Sequence, residues 1–272
     1  MKILCWNVAG IRAKLKKGYL DFLVKAVHDV VCFQETKAEE QQVLVPENLA
    51  KIYPYRYWQS TQGITQRKGF SGTAIWSRTK PIRMIPPPTF DLEGRITAVE
   101  FPTWNLVTVY TPNSQYKDSE RNQYRTEEWD KNFKEFVDLL NEKKSTIICG
   151  DFNVARDDID VYEPEERRDV CAGFLNKERE NFDTLLGWKF FDAYRMFHEG
   201  EENKFTYWDQ TLPYLRRKNR GWRIDYFLIP KSLKKRILNS DIHPEIMGSD
   251  HCPITLEFKP IRKKLKIVER LC

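Results

Sequence analysis

The sequence predicts an α/β (α+β) protein with a four-layered sandwich fold, in which two packed mixed β-sheets are flanked by helices. Short apolar runs recur along the chain, many of them β-branched or aromatic and bounded by Gly, Pro, Asn or Asp, as strands are. Helical patterns lie between some of these runs. Many strands with helices between them are typical of sheets packed face to face with helices outside.

The strand-like runs can be read in chain order. They are KILCWNV (2–8), VVCFQE (30–35), GTAIWS (72–77), RITAVEF (95–101), NLVTVYT (105–111), STIICGDFN (145–153), RIDYFLI (223–229) and PITLEF (253–258). Two helical patterns cover residues 18–29 and 118–144. In the second, the apolar side chains at helical spacing are Trp129, Phe133, Phe136 and Leu140. This spacing places one apolar stripe against a core.

Length and patterning predict a single domain. The chain has 272 residues, and no linker, repeat or low-complexity segment divides it. Layered folds of this size occur as one domain, so we expect one domain over 1–258 and a basic C-terminal tail over 259–272.

Composition excludes several classes of protein. No run approaches the ~20 apolar residues that span a bilayer. The six cysteines show no CxxC spacing, which disfavours a disulfide framework or a zinc site. We therefore expect a soluble intracellular monomer without a membrane partner, cytoplasmic in a prokaryote or nuclear in a eukaryote.

The net charge of +6 is unevenly distributed. Residues 215–223 (LRRKNRGWR) are strongly basic, and aromatic residues are interleaved with them. These aromatic residues are Tyr207, Trp208, Tyr214 and Trp222. Cations beside rings that stack suit a nucleic-acid surface, whereas a charged run alone indicates only a solvated face.

Polar side chains lie at the ends of the predicted strands. Most come at or after the C-terminal end of a strand, and two come just before the last strand. They are Asn7, Glu35, Tyr110, Asn113, Asp151, Asn153, Asp225, Asp250 and His251. Any one of them has an ordinary explanation, because Asn and Asp favour turns. As a set they are unusual, since acids and amides against apolar strands are costly to bury without partners.

The spacing of Asp151 and Asn153 indicates which partner could compensate their burial. Two residues apart on a strand, their side chains point to one face. Oxygen ligands without clustered Cys or His favour a hard cation, Mg²⁺ or Mn²⁺, which commonly takes one or two carboxylates. Glu35 is then a sensible direct ligand.

The ordered motifs WNVAGIR, QETK, KGFSGTAIWSR, EGR, YTPN, GDFNVA, GWRIDYF and GSDHCPITL resemble those of the exonuclease III family of abasic-site endonucleases, within the endonuclease/exonuclease/phosphatase superfamily. The resemblance runs from about residue 2 to residue 258. It implies a metal-dependent hydrolase of DNA repair that cleaves 5′ to abasic sites in double-stranded DNA. It also implies trimming of blocked 3′ ends, with 3′-phosphodiesterase, 3′-phosphatase and 3′→5′ exonuclease activities.

The resemblance assigns roles to individual residues. It implies a site for one or two Mg²⁺ ions, with Mn²⁺ as a substitute, held by Asn7, Glu35, Asp151, Asn153, Asp250 and His251. Catalysis is assigned to Tyr110, Asp151, Asn153, Asp225 and His251. Asn113 and His251 bind the scissile phosphate. The residues expected to bind the DNA and the lesion are Tyr207, Arg216, Arg217, Trp222 and Ile224.

Two alternatives and one departure from the family pattern remain. The same superfamily includes enzymes for lipids, inositol phosphates or RNA, and a catalytically silent DNA-binding module is a third reading. Ala9 favours the silent module, because the family commonly has Asp or Asn there to assist the metal. The other polar residues at the strand ends favour an enzyme.

Overall fold

The computed structural model describes residues 1–26, 28–61, 69–212 and 214–259. The strands in this part of the chain are β1 (Lys2–Asn7), β2 (Val30–Gln34), β3 (Tyr55–Gln59), β4 (Thr73–Ser77), β5 (Arg83–Ile85), β6 (Ile96–Glu100), β7 (Asn105–Tyr110), β8 (Thr146–Asp151), β9 (Phe190–Asp192), β10 (Asp225–Pro230), β11 (Ile237–Ile242) and β12 (Ile254–Phe258). They form two six-stranded sheets, ordered β11-β12-β1-β2-β4-β3 and β5-β6-β7-β8-β10-β9.

Helices lie between the strands. Those described are α1 (Ile11–Lys16), α2 (Phe22–Lys25), α3 (Glu47–Ile52), α4 (Glu120–Gln123), α5 (Asp130–Lys143), α6 (Pro164–Arg167), α7 (Asn176–Leu186) and α8 (Tyr214–Arg217). A π-helical segment, Tyr124–Trp129, joins α4 to α5, and 3₁₀ turns cover Glu40–Gln42, Asp158–Asp160 and Lys231–Arg236.

Alternation along β1 shows how the layers form. Ile3 and Cys5 belong to the core between the two sheets, whereas Leu4 and Trp6 belong to a cluster that includes Leu23 of α2. Successive side chains of a strand point to opposite faces, so both faces of the sheet are buried. On the second sheet, α5 and α7 cover the outer face. The predicted sandwich of two mixed sheets between helices is confirmed.

Strand direction brings the C-terminal ends of several central strands to the same end of the sandwich. β1 and β2 are parallel neighbours, and so are β7 and β8. β10 runs antiparallel to β8, and its first residue, Asp225, lies opposite Asp151. Gly150 allows β8 to approach closely, since a Cβ there would lie 1.9 Å from the carbonyl oxygen of Val109. The strand ends predicted to carry polar side chains therefore share one end of the sandwich.

The two predicted helices have different outcomes. Residues 120–143 are helical through α4, the π segment and α5, which agrees with the prediction for 118–144. The prediction of a helix over 18–29 is wrong, because among the described residues of this range only Phe22–Lys25 are α-helical. Gly18 has a φ of 72°, a left-handed conformation that ends the preceding turn.

Two further predictions concern the C-terminal tail and membrane-spanning helices. Apart from Lys259, the predicted basic tail (259–272) lies outside the described residues, and the division into domain and tail stays a prediction. No described helix has both the length and the apolar composition needed to cross a membrane.

Candidate active site

Asn7, the last residue of β1, links the two sheets at the end of the sandwich where the polar side chains meet. It is fully buried, and its Nδ2 donates to Oε1 of Glu35 and to Oδ2 of Asp151, both at 2.9 Å. Glu35 follows β2 of the first sheet, whereas Asp151 ends β8 of the second. One amide therefore holds two carboxylates from different sheets side by side.

A histidine joins these two acids. One ligand atom from each of Glu35, Asp151 and His251 lies within 4.8 Å of the others. Nε2 of His251 is 3.7 Å from Oδ2 of Asp151, and Nδ1 lies 2.8 Å from Oδ2 of Asp225. Asp225 thus fixes the ring orientation and leaves Nε2 facing Asp151.

Burial and neighbouring charges alter the acidity of this group. Burial raises the pKa of Asp151 to about 7, although the His251 cation opposes the rise. For His251 burial acts in the opposite direction, but Asp225 and Asp151 outweigh it and raise the pKa to about 10. The pair therefore combines a cationic imidazole with a carboxylate that can accept a proton near neutrality.

Converging carboxylate oxygens fit a hard divalent cation. The predicted ligand Asn7 faces them with its donor Nδ2, whereas its Oδ1 accepts from the N of Ala9 at 3.1 Å. The donor atoms of Glu35 and Asp151 converge from both sheets, which suits an ion that takes few protein ligands. Asp250 lines the same cleft but is not part of this three-residue group, and its Oδ1 accepts from Oγ of Ser249 at 2.9 Å.

Asn113 and Asn153 form the opposite wall. Nδ2 of Asn113 donates to Oδ1 of Asn153 at 3.2 Å, and the backbone N of Asn153 donates to Oδ1 of Asp151 at 2.8 Å. Asn153 has a φ of 48°, which Asn tolerates better than most residues. Burial, reinforced by Glu35, raises the pKa of Tyr110 well above its ordinary value, so its phenol stays protonated.

These residues line a cleft of about 290 Å³. Its apolar side is formed by Tyr207, Trp222 and Ile224, next to Gly173. The Tyr207 ring centroid lies 4.9 Å from that of His251. The three aromatic and aliphatic side chains predicted to contact a lesion thus lie beside the acids.

The two predicted DNA-contacting arginines differ. Arg216 donates to the carbonyl oxygens of Ser249, Pro244 and Ile246 at 2.8–3.0 Å, and it packs over the Trp208 ring. These contacts support the loop that carries Asp250. Arg217 is exposed on α8. The role of both arginines in DNA binding stays a prediction.

Several residues of the site have no sequence signal comparable to the strand-end pattern. Arg125, in the π segment, is buried and donates to the carbonyl oxygens of Asn153 and Phe152 at 2.7 and 2.8 Å. Its partner is Glu178, at 2.9 Å. Their 53-residue separation hides the pair in the sequence. Lys37 lies 2.8 Å from Glu35. The QETK motif does not predict this contact, because it depends on the turn of the chain between the two residues.

Comparison with known proteins gives a consistent result. The model of the endonuclease/exonuclease/phosphatase family matches residues 4–251. The chain is 38% identical over 259 residues to the DNA repair nuclease APEX1 of Danio rerio, covering 94% of this chain and 81% of that protein. It is also 38% identical over 261 residues to an exodeoxyribonuclease of Bacillus subtilis, covering 94% and 98%.

Solved structures with the same fold include a 3′ phosphatase, NExo, from Neisseria bound to a product DNA hairpin. That chain has a TM-score of 0.84 and 26% identity, with 95% of this chain and 99% of that one covered. An AP endonuclease from Archaeoglobus fulgidus also has a TM-score of 0.84, at 24% identity, and covers 96% and 100%. The latter supports the fold alone.

Proposed function

The chain belongs to the endonuclease/exonuclease/phosphatase family, and we propose from this membership that it is a DNA-repair nuclease that cleaves the phosphodiester 5′ to abasic sites and leaves a 3′-hydroxyl. The relatives named as a DNA repair nuclease and an exodeoxyribonuclease support this proposal. The observation that carries it is the convergence of Glu35, Asp151 and His251 beside an apolar pocket.

We propose that Glu35 and Asp151 hold Mg²⁺, or Mn²⁺ in its place, as one or two ions, with Asn7 orienting both carboxylates. When bound, such an ion neutralises a phosphoryl oxygen and lowers the pKa of a coordinated water. Asn153 and Asp250 are proposed to complete the surroundings of the ion through bound water. His251 is better suited to bind phosphate, because Asp225 keeps it cationic.

Asp151 is the proposed base. Its fixed position, held by Asn7 and by the backbone N of Asn153, suits it to accept a proton from the attacking water. Tyr110 retains its proton, and we propose that it donates this proton toward the leaving oxygen. His251 and Asn113 are then positioned to bind non-bridging phosphate oxygens by donating hydrogen bonds.

The apolar side of the cleft supports selection of a baseless sugar. An abasic nucleotide has no base to unstack, so its extrusion costs less than that of a normal nucleotide. Tyr207, Trp222 and Ile224 line the same cleft as Asp151. The same placement suits 3′-phosphate and other blocked 3′ ends, and we propose 3′-phosphodiesterase, 3′-phosphatase and 3′→5′ exonuclease activities, acting as a monomer within the cell.

The proposal is tested with a labelled duplex that contains a single tetrahydrofuran lesion. We expect cleavage 5′ to the lesion in Mg²⁺ and none in EDTA. Binding without cleavage in Mg²⁺ would support a silent DNA-binding module. Cleavage of inositol phosphates or RNA but not of the lesion would support another branch of the superfamily.

Lesion selection makes a separate prediction. Trp222→Ala is expected to lower kcat/KM for the lesion duplex by about 10–200-fold, because contacts in a hydrophobic pocket contribute roughly 1–3 kcal/mol to the choice of substrate. The ratio of cleavage at the lesion to cleavage of undamaged duplex is expected to fall with it. Trp188→Ala is the matched control, since Trp188 is 91% exposed and does not line the cleft. An unchanged ratio in Trp222→Ala would remove Trp222 from the pocket.

A further inference from the structure

We propose that Lys37 is an internal counter-cation that competes with the divalent ion for Glu35, and so sets the metal concentration at which the site fills. The inference rests on the metal site of the proposed function. It concerns a lysine to which neither the motifs nor the comparisons give a role.

Both oxygens of Glu35 already have partners. Oε1 accepts from Nδ2 of Asn7 at 2.9 Å, and Oε2 lies 2.8 Å from Nζ of Lys37. The Glu35 side chain is only 17% exposed, so this ammonium is its main charge compensation. In the described part of the chain, Glu35 is also the one ion-pair partner recorded for Lys37. A divalent ion at Glu35 brings two positive charges next to a third, which repel at this distance.

The backbone directs Lys37 to this position. Both Glu35 and Lys37 have a φ of 50°, and the turn between them is held because the N of Thr36 donates to Gly72 and the N of Lys37 donates to Ser71. The two side chains lie together on one side of the turn, 2.8 Å apart at Nζ and Oε2. The pairing of Lys37 with Glu35 is built into the fold.

Lys37 also has space to withdraw. Its stem passes over Gly10, where an added Cβ would lie 4.0 Å from Cδ. Beyond it is an open cavity of about 370 Å³ whose lining includes Arg12, Lys16 and Lys37. This cavity is cationic, so it offers room but no compensating anion.

Ala9 lies on the loop that runs beside the turn between Glu35 and Lys37. The loop after β1 runs beside the turn, because the N of Gly10 donates to the carbonyl of Glu35. Position 9 is therefore close to the Glu35–Lys37 pair, yet its methyl group offers no alternative partner for the ammonium. Its φ of 44° is one that Asp or Asn adopts readily.

The test measures Mn²⁺ binding to the metal-free full chain by calorimetry and by electron paramagnetic resonance, without DNA. We expect Lys37→Met, which keeps most of the stem, to tighten Kd by roughly tenfold. Lys37→Arg should stay within about twofold of the wild type, because the charge remains. Lys16→Met is the matched control: it removes the same charge from the same cavity without touching Glu35, and we expect a change below about twofold.

Unchanged or weaker Mn²⁺ binding in Lys37→Met, or equal tightening in Lys16→Met, would overturn the inference. Failure of the proposed metal site is distinguishable, since Glu35→Gln would then leave Mn²⁺ binding unchanged.

Discussion

Replacing Asp151 by Asn is expected to lower the single-turnover rate of cleavage at a tetrahydrofuran lesion by about 10²–10⁴-fold, the usual contribution of a positioned general base. The amide cannot accept the proton of the attacking water, and it removes a negative charge that faces Nε2 of His251. Rapid-quench measurements with enzyme in excess over the labelled duplex isolate this step from product release.

Two controls separate chemistry from folding. The affinity for the lesion duplex in EDTA should fall by less than about tenfold, because one carboxylate is not a phosphate contact. The thermal midpoint should be retained or raised, since burial opposes ionisation of this carboxylate. A variant that cleaves within about threefold of the wild-type rate would show that another group is the base.

Arg223→Met is expected to lower the free energy of unfolding by about 3–5 kcal/mol, because it leaves buried acids without their partner. Nε and Nη2 of Arg223 donate to the two oxygens of Asp160 at 2.8 Å, and Nη2 also lies 2.8 Å from Asp192. The Arg223 and Asp160 side chains are fully buried, and Asp192 is nearly so. Arg195 alone would remain near Asp160, at 2.5 Å.

Urea unfolding followed by tryptophan fluorescence measures this loss. Arg217→Met is the control, since that side chain is exposed on α8 and its loss should cost less than about 0.5 kcal/mol. Arg223 also lies between Trp222 and Ile224 in the chain, so lesion cleavage should weaken before global unfolding. Equal stability of the two variants would mean that the buried acids find other partners or become protonated.

The end of the sandwich that carries the site was predictable because polar side chains at the ends of apolar strands have few reasons to be there. The expectation that Asp151 and Asn153 share one strand is wrong, because β8 ends at Asp151 and Asn153 lies beyond it with a φ of 48°. The layer structure followed from the strand-like runs with helices between some of them. The helix over 18–29 was mispredicted because its apolar residues satisfy a helical period, while Gly18 adopts a positive φ that the pattern does not encode.

The supporting contacts were not predictable, because they join distant parts of the chain through backbone carbonyls. Arg216 lies in a basic run that resembles a DNA contact, yet its donors reach Ser249 and its neighbours. Arg125 reaches Asn153 only because a π segment and α7 meet behind the site. Neither interaction can be recognised from the sequence, because its acceptors are backbone carbonyl oxygens and every residue has one.

The construction of the site from both sheets has a consequence for how the protein is made. Asn7 and Glu35 come from the first sheet and Asp151 from the second, whereas His251 arrives only just before β12, which pairs beside β1. A chain emerging from the ribosome therefore carries no complete hydrolytic group until His251 has been synthesised. A nascent chain that has not reached this residue lacks the group that would cleave nucleic acid beside the ribosome.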